Sequence, residues 1–303
     1  MTDLVIGIPT FRRPALLTKL LESLRPEIAG RMVTVLVADN DCDPAIEALV
    51  AAFPREEGQR FVYVPVSERG LSPVRNSLVD AALREAPDWR RLIMLDDDGH
   101  VAEGWLATLL GCADAYEPHL LGGPVEGLLP SDAGLFARNS IYASRRGTRT
   151  GPTKLLRGAQ NLLISRRLLD LVERPLFRNA YKSSGGEDYD FFRRVRAAGG
   201  EIVWCEEAVV YEPTPTPLLR TAKVLERYYT TGIYMAKIDQ SYDGAGAAWR
   251  LAVKGSVGSL ARLALSLPQL RKDPIAKNLL SVAHHAGRLV GMVGGNTSRY
   301  AKR

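Results

Sequence analysis

Three consecutive carboxylates directly follow a run of four apolar residues in the segment LIMLDDDGH. The run Leu92–Leu95 predicts a buried strand, and Asp96, Asp97 and Asp98 stand at its end. Adjacent negative charges raise one another's pKa unless a cation or a set of donors offsets them. Carboxylate oxygens suit Mg²⁺ or Mn²⁺, which also coordinate diphosphate oxygens. A solvated acidic turn is the alternative, but the position at a strand end favours a metal site.

Two further charged residues accompany other predicted elements. Asp39 ends the apolar segment MVTVLVAD, where its carboxylate could accept a hydrogen bond from a base N–H. Arg75 lies one turn into a predicted helix, from which it could reach a diphosphate or a base. Taken singly, each residue has a plainer explanation. Asp39–Asn40 could form an Asx turn, and Arg75 could be an exposed charge on a helix.

The segment GGEDYDFFRR predicts a helix that starts with two carboxylates. Glu187 and Asp188 stand where the helix dipole stabilises negative charge in any protein. The inward stripe of this helix, at i, i+3, i+4 and i+7, is formed by Asp188, Phe191, Phe192 and Val195. An inward carboxylate at a helix start can act as a general base on a sugar hydroxyl.

The elements that must position these residues alternate between strand and helix over the first hundred residues. Strands are predicted for LVIGIPTF, MVTVLVADN, RFVYVPV and RRLIMLDDD. The helices between them are RPALLTKLLESL, DPAIEALVAAF and SPVRNSLVDAAL, with Asp43 as the cap of the second and Ser72 as the cap of the third. This order predicts an α/β fold whose mostly parallel sheet carries helices on both faces and binds ligands at the carboxyl ends of its strands.

The pattern after residue 100 is more irregular. A helix is predicted for EGWLATLLGCADAY, one strand for LLGGPVEGLLP, and an exposed basic loop for SRRGTRTGPTK. GAQNLLISRRLLDLV predicts a strand followed by a helix, and EIVWCEEAVVYEPTPTP a strand with a proline-rich stop. We place the end of the catalytic domain at that stop, which gives domains 1–217 and 218–303, the second of them helical.

Composition and missing motifs exclude several classes. The chain has 303 residues, 46% hydrophobic and 24% charged, as in a soluble globular protein. Cys42, Cys112 and Cys205 have no CxxC spacing, and no signal peptide is predicted, so a reducing, cytoplasmic location is expected. No GxxxxGK[ST], HExxH or GxSxG occurs, and the first βα turn, IPTFRRP, is not GxGxxG. A P-loop, a dinucleotide oxidoreductase and a serine hydrolase are therefore not expected.

The last third of the chain is strongly basic. Residues 218–303 carry 14 Lys and Arg against 4 Asp and Glu, a balance of +10, while the whole chain carries +6. This asymmetry predicts an anionic partner. One apolar helical stripe is formed by Trp249, Val253, Val257, Leu260, Ala264 and Leu267.

The stripe allows two interpretations. No apolar run reaches ~18 residues, so a transmembrane helix is not expected. A basic amphipathic helix can lie on an anionic membrane surface, and under this interpretation we expect the protein at the inner face of the plasma membrane. The alternative is that the stripe packs on the catalytic body or on a second subunit. Nucleic-acid binding is not expected, because no recognition module accompanies the charge.

Six motifs in order resemble the GT-A-fold family 2 glycosyltransferases. They are IPTF.R, ADN, G.S..RN, LDDD, G.QN..ISR and GGEDYDFFRR, and the resemblance covers about residues 3–215. The segment VYEPTPTPLLRTAKVLERYYTTGIY is similar to bacterial exopolysaccharide members of the succinoglycan type. The resemblance implies an inverting enzyme that moves a sugar from a nucleotide-diphosphate sugar, most often a UDP-sugar, to a saccharide acceptor. We expect that acceptor to be lipid-linked. The cofactor implied by the resemblance is Mn²⁺ or Mg²⁺.

The resemblance also implies roles for individual residues. The nucleotide-sugar pocket would be formed by Pro9, Thr10, Arg13, Asp39, Arg75, Asp96 and Asp97. Asp98 would bind the metal, and Asp188, with Glu187 beside it, would supply the base. Many relatives have a metal-binding histidine after the last strand, where this chain has Tyr211–Glu212–Pro213. Either Glu212 binds the metal, or the second protein ligand is missing. A basic loop with Arg145, Arg146, Arg149 and Lys154 could close over the diphosphate.

Two alternatives to a glycosyltransferase stay open from the sequence. A nucleotidylyltransferase also uses an α/β sheet and Mg²⁺, but it requires a glycine-rich first loop that IPTFRRP lacks. A non-catalytic nucleotide-sugar-binding scaffold of a polysaccharide assembly complex is the other. The departure from the family pattern at Tyr211–Glu212 keeps the scaffold open, and the intact Asp98 and Asp188 count against it.

Overall fold

A computed structural model describes residues 3–146, 149–181 and 184–297 of the chain. The chain forms two compact units that alternate along the sequence. The first comprises the described residues within Met1–Glu126, Arg146–Lys182 and Asp190–Glu212. The second comprises those within Gly127–Arg145, Ser183–Tyr189 and Pro213–Arg303. The functional division at residue 217 stays a prediction.

An eight-stranded sheet forms the centre of the first unit, in the order β3-β2-β1-β4-β9-β6-β10-β8. A second sheet has the order β5-β11-β7. The strands are β1 (Leu4–Thr10), β2 (Val33–Asp39), β3 (Gln59–Pro65), β4 (Arg91–Leu95), β5 (His100–Val101), β6 (Leu120–Gly122), β7 (Val125–Leu128), β8 (Gly151–Pro152), β9 (Asn161–Ser165), β10 (Ile202–Trp204) and β11 (Val210–Pro213).

Ten α-helices accompany the strands in the described residues, with short 3₁₀ turns at Asn179–Tyr181 and Thr216–Leu219. The α-helices are α1 (Pro14–Glu27), α2 (Pro44–Ala52), α3 (Leu71–Glu85), α4 (Trp105–Tyr116), α5 (Leu135–Arg138), α6 (Leu168–Leu171), α7 (Glu187–Ala197), α8 (Thr221–Asp243), α9 (Ala245–Ser266) and α10 (Lys272–Met292).

The large sheet is buried on both faces because its strands are apolar at nearly every position. On β1, Ile6 and Ile8 face one core, in which Leu17 and Leu20 of α1 also lie. Val5 faces the other core, together with residues of α3 and α7. Strands β1, β2, β3 and β4 are mutually parallel. The predicted α/β architecture of GT-A type, with helices on both faces of a mostly parallel sheet, is therefore confirmed.

Several local predictions are wrong. Ser72 does not cap α3, because the helix begins after Gly70, which adopts φ +126°. The Ser72 hydroxyl instead donates to the Arg178 carbonyl at 3.1 Å. LLGGPVEGLLP is not one strand, since Gly123–Pro124 separates β6 from β7 in different sheets. EIVWCEEAVVYEP likewise holds two strands, and the predicted basic loop contains β8. Strand β9, whose partner strands were not predicted, lies antiparallel between β4 and β6.

The second unit is helical, as predicted for the last third of the chain. Its small core includes Ala137 of α5, Val224 of α8 and Leu280 of α10. Gly232 and Gly287 permit close contact of α8 with α10, because a Cβ on Gly232 would lie 2.0 Å from the His284 carbonyl oxygen. Among the described residues, no helix is long and apolar enough to cross a membrane.

A buried ion pair joins α8 to α10 inside the second unit. The Arg288 Nη2 donates to Asp239 Oδ2 at 2.5 Å, and both side chains are almost fully buried. Arg288 interrupts the apolar pattern of α10 in the sequence, and its partner explains how the charge is accommodated. Asp239 also accepts a hydrogen bond from the Tyr189 hydroxyl at 2.6 Å.

We expect Arg288→Met to lower the free energy of unfolding by about 3–5 kcal/mol, because it leaves Asp239 buried without its cationic partner. Urea denaturation followed by circular dichroism measures this loss. The matched control is Glu226→Gln, which breaks the exposed Lys223–Glu226 pair at 2.7 Å and should cost less than about 1 kcal/mol. Equal losses in the two variants would show that the buried pair has no special structural role.

Candidate functional site

The carboxyl ends of β1, β2 and β4 lie side by side at one edge of the large sheet. Thr10 at the end of β1 pairs in register with Asp39 at the end of β2. Strand β4 runs parallel to β1 on its other side and leads directly into Asp96. Ligands bind at this edge in open parallel sheets. The sequence motifs that follow the three strands therefore converge, as predicted.

Asp97 is held by donors from the first βα turn. The Thr10 hydroxyl donates to Asp97 Oδ2 at 2.7 Å, and Arg13 Nη1 lies 3.3 Å from Asp97 Oδ1. Asp97 is 5% exposed, and its burial raises the pKa of the carboxyl against the opposing effects of Thr10 and Arg13. The IPTFRRP turn thus contributes hydrogen-bond donors to the acidic segment in place of the glycines of a dinucleotide-binding turn.

Asp98 is paired with a single arginine among the described residues. Its Oδ2 accepts from Arg13 Nη1 at 2.6 Å. The pKa of Asp98 is nevertheless raised to about 7, first because the carboxyl is largely buried and then because Asp96, Glu212 and Asp97 carry like charge. One arginine therefore does not offset the carboxylates gathered around this side chain.

Glu212 is brought to Asp98 by the small sheet. Strand β11 pairs antiparallel with β5, with Tyr211 opposite His100. Continuing this register by one residue places Glu212 opposite Gly99, next to Asp98. A side chain at Gly99 would crowd this pairing, because a Cβ would lie 2.9 Å from Val210 Cγ1 and 3.2 Å from the Tyr211 carbonyl oxygen. Sequence reasoning could propose Glu212 only by resemblance, since the pairing that places it spans more than a hundred residues.

Arg75 contacts the first carboxylate of the segment. It is 3% exposed, and its Nη2 lies 3.3 Å from Asp96 Oδ1. Its guanidinium carbon lies 5.5 Å from the centre of the Phe177 ring. The plainer explanation of Arg75 as an exposed helix charge is therefore wrong.

Asp39 is fully buried and orders the turn after β2. Its Oδ1 accepts from the Asp41 N–H at 2.9 Å, and its Oδ2 from the Asp43 N–H at 2.6 Å and the Tyr63 hydroxyl at 3.2 Å. The Asx-turn explanation is thus correct for its structural role, and contact with a base stays a prediction. Pro9, also buried, precedes Thr10 on β1.

Sequence reasoning missed a group of residues beside this turn. Arg12 and Arg69 both bind Asp41, the first at 2.7 Å, and their guanidinium carbons lie 5.0 and 4.7 Å from the centre of the Phe11 ring. Hydrogen bonds from Arg12 and then Arg69 hold the pKa of Asp41 at about 2. The dipeptide Phe11–Arg12 beside the predicted pocket was the available signal.

Glu187 and Asp188 belong to the second unit, where helix α7 begins. Glu187 is 4% exposed, whereas Asp188 is half-buried and accepts from the Tyr189 N–H at 2.7 Å. Gly186 adopts φ +95°, and a Cβ there would lie 2.6 Å from Tyr234 Cδ2 of α8. Burial, and next the charge of Asp188, raise the pKa of the Tyr234 hydroxyl. The helix start is therefore packed against α8.

The inward stripe of α7 is confirmed in its apolar part, because Phe191, Phe192 and Val195 are fully buried.

The basic loop differs from its prediction: Arg145 is buried, and Arg146 is paired with Glu126 and Glu206. Arg149 and Lys154 are exposed, and residues 147–148 lie outside the described part of the chain. Its closure over a diphosphate stays a prediction.

Comparison with known proteins agrees with this geometry. The sequence pattern of "Glycosyl transferase family 2" matches residues 5–168, more than half of the chain. The succinoglycan biosynthesis protein ExoM of Rhizobium meliloti is 30% identical over 300 residues, which cover 95% of this chain and 92% of that protein. The predicted resemblance to the family and to its exopolysaccharide members is confirmed.

Solved structures agree in fold. S. aureus TarS 1-349 in complex with UDP-GlcNAc superposes with a TM-score of 0.52 at 14% identity, covering 95% of this chain and 92% of that one. A second crystal structure of S. aureus TarS 1-349 superposes with a TM-score of 0.50 at 14% identity and covers the same shares of the two chains. At such identities the likeness is one of fold, and the fold is that of the GT-A enzymes.

We expect Asp98→Asn to stabilise the metal-free protein at pH 8. The native pKa of Asp98 is about 7, above its unfolded value, so the stability that its proton provides is lost as the pH rises from about 4 through 7. Asparagine has no proton to lose. The gain over the parent should therefore be near zero at pH 4 and reach at most about 4 kcal/mol at pH 8.

The control for this pH dependence is Asp41→Asn, whose effect has the opposite sign. Because the pKa of Asp41 is lowered to about 2, its contribution is present above the usual aspartate pKa and is lost as the pH falls through about 2. Asp41→Asn should therefore destabilise at pH 8. Thermal melts at pH 4, 6 and 8 in the presence of EDTA test both. A gain in Asp98→Asn that does not vary with pH would contradict the assigned shift.

Proposed function

Because the chain belongs to glycosyl transferase family 2, and is thus a glycosyltransferase, we propose that it moves a sugar from a nucleotide-diphosphate sugar to a saccharide acceptor with inversion at the anomeric carbon. The observation that carries this proposal is the acidic segment Asp96–Asp98 at the carboxyl edge of the sheet, held by Thr10, Arg13 and Arg75.

The donor we propose is a UDP-sugar. The TarS neighbour is described with UDP-GlcNAc, and the two folds superpose over nearly the whole of this chain. Asp96 and Asp97 would accept hydrogen bonds from the ribose and lie along the diphosphate, with Asp39 below the base. Pro9 and Thr10 would form the wall of the pocket, and Arg13 and Arg75 supply cations at either end of the acidic segment.

A divalent metal fits the residues around Asp98. No group of three or more His, Cys, Asp or Glu in the described ranges is arranged as a metal site. Two carboxylates, Asp98 and Glu212, are nevertheless close enough for like charge to raise the pKa of Asp98, and a bound diphosphate would add further oxygens. When bound there, Mn²⁺ or Mg²⁺ supplies positive charge that offsets the departing diphosphate.

The base we propose is Asp188. Its half-buried carboxylate stands at the start of α7 and accepts from the Tyr189 N–H at 2.7 Å. It would accept the proton of the acceptor hydroxyl as that oxygen attacks the anomeric carbon from the face opposite the diphosphate. Glu187 beside it is buried and would hold the shape of the turn.

The acceptor we propose is a lipid-linked saccharide of an exopolysaccharide or another cell-surface glycan, met at the inner face of the plasma membrane. The similarity to ExoM, a succinoglycan biosynthesis protein, supports the polysaccharide, and the +10 balance of residues 218–303 supports an anionic surface nearby. Neither property identifies the sugar or the linkage.

Release of UDP from a panel of UDP-sugars, with saccharide acceptors and Mn²⁺, tests the reaction. We expect Asp188→Asn to lower kcat by at least about 100-fold while the donor dissociation constant changes little, because the amide cannot accept the proton. Glu103→Gln, which removes an exposed carboxylate just before α4, should behave as the parent. Tight donor binding without turnover in the parent would favour a non-catalytic scaffold.

We expect Glu212→Gln to raise the Mn²⁺ concentration for half-maximal activity by at least about tenfold. This is the lower end of the loss in metal affinity that follows when a partner is removed from a metal site. Glu212→His, which restores the residue of many relatives, should keep activity at the Mn²⁺ concentration of the parent. Titration of activity with Mn²⁺ measures both. Equal metal dependence in Glu212→Gln and the parent would exclude Glu212 as a ligand.

A further inference from the structure

Helix α9 packs in the second unit through its smallest residues. Ala248, Ala252 and Ser259 are each at most 1% exposed. Gly255 lies on the same face, where a Cβ would be 2.2 Å from His285 Cε1 of α10. The side of α9 that faces the other helices is therefore filled by small side chains, which leaves no room for its large ones.

The large apolar residues of α9 consequently point away from the protein. Six residues share one side of the helix and form what we call the α9 stripe, which consists of Trp249, Val253, Val257, Leu260, Ala264 and Leu267, while Leu251 and Leu265 are exposed elsewhere on α9. All six are exposed, and Val257 and Leu260 are 63% and 54% exposed. A helix that turns its large apolar residues outward has the opposite polarity to the surface helix of a water-soluble bundle. Exposed apolar residues that share one face of a helix indicate an interaction site.

The charges beside the α9 stripe are all positive. Helix α9 contains Arg250, Lys254 and Arg262 and has no Asp or Glu. Arg250 and Lys254 precede Val257 by seven and three residues, so both lie on the same side of the helix as Val257. Both are exposed. An apolar face bordered by cations matches a surface that is apolar inside and anionic at its boundary.

The turn between α9 and α10 repeats this combination. Leu267 and Leu270 are 52% and 84% exposed, and Arg271 and Lys272 follow immediately. Exposed leucine side chains can enter a lipid headgroup layer while the long cationic side chains that follow them keep their charges at its surface. The stripe and the turn therefore present the same chemistry along the full length of α9.

A second copy of the chain is a poorer match for the α9 stripe. A two-fold interface would place the same face on both sides and bring cations toward cations, and α9 has no acidic residue to pair with them. A bilayer with anionic lipids supplies both the apolar layer and the negative charge.

We propose that the α9 stripe lies in the interface of an anionic lipid bilayer, with the axis of α9 parallel to the surface. Trp249 and the aliphatic side chains enter the headgroup boundary, and Arg250 and Lys254 contact the lipid phosphates. This attachment goes beyond the transfer reaction and does not depend on the donor, so it is tested without any turnover.

Vesicle binding provides the test. The full chain is mixed with vesicles of phosphatidylcholine alone, or of equal parts phosphatidylcholine and phosphatidylglycerol, and the bound fraction is measured by flotation. Of the four tryptophans, all described, only Trp249 is exposed, so a blue shift of its fluorescence reports entry directly. We expect binding and the blue shift with the anionic vesicles and little of either with phosphatidylcholine.

Two variants examine the apolar and the cationic contributions. Val257→Glu should lower the partition coefficient at least about tenfold, whereas Met32→Glu, with the same charge change at an exposed apolar residue outside α9, should bind as the parent. Replacing Arg250 and Lys254 by glutamine should weaken binding about 30-fold. Replacing Lys19 and Arg55, exposed cations elsewhere, should weaken it much less.

The proposal is overturned if the parent binds neither vesicle, if it binds both compositions equally, or if Val257→Glu binds as tightly as the parent. A concentration-dependent dimer of the parent that Val257→Glu abolishes, in the absence of vesicle binding, would assign the α9 stripe to a second copy. Because Val257 is exposed, the folded state of each variant is confirmed by circular dichroism before the comparison. A failure here would leave the UDP-release assay unaffected.

Discussion

Repulsion among the carboxylates at the end of β4 is the constraint around which the first unit is organised. The parallel sheet brings the IPTFRRP turn and helix α3 to that edge, and both contribute donors or cations to the acidic segment. Thr10 and Arg13 hold Asp97, and Arg75 contacts Asp96. Arg13 also donates to Asp98, but burial and the like charges of Asp96, Glu212 and Asp97 keep the pKa of Asp98 at about 7. The remaining negative charge is what a nucleotide-bound cation would neutralise.

The start of α7 is organised differently, by packing inside the second unit. Gly186 allows the turn to approach Tyr234, and the Tyr189 hydroxyl is bonded to Asp239, which is itself paired with Arg288. The segment that carries the proposed base is thus connected to α8 and α10 by a chain of buried polar contacts. Such contacts lose much of their stability when one member is removed, so the helices fix the geometry of this turn.

The sequence alone predicts what local patterns determine. Apolar runs and helical spacing place β1 to β4 and α1 to α4, and the parallel order places the site at their carboxyl ends. Ser72 was predicted as a cap because its type is common there, yet the positive φ of Gly70 starts the helix earlier. The antiparallel position of β9, the approach of Glu212 to Asp98 and the Arg288–Asp239 pair depend on contacts between distant segments. No local pattern encodes these contacts.

Calorimetric titration of UDP into the protein, with Mn²⁺ and with EDTA, tests most directly whether the acidic edge of the sheet holds a metal–nucleotide complex. The account predicts that UDP binds the parent tightly only with Mn²⁺, and that Asp98→Asn reduces this binding to the level seen with EDTA. Binding of equal strength with and without Mn²⁺, or unchanged in Asp98→Asn, would contradict the assignment of Asp98 to a metal that carries the diphosphate.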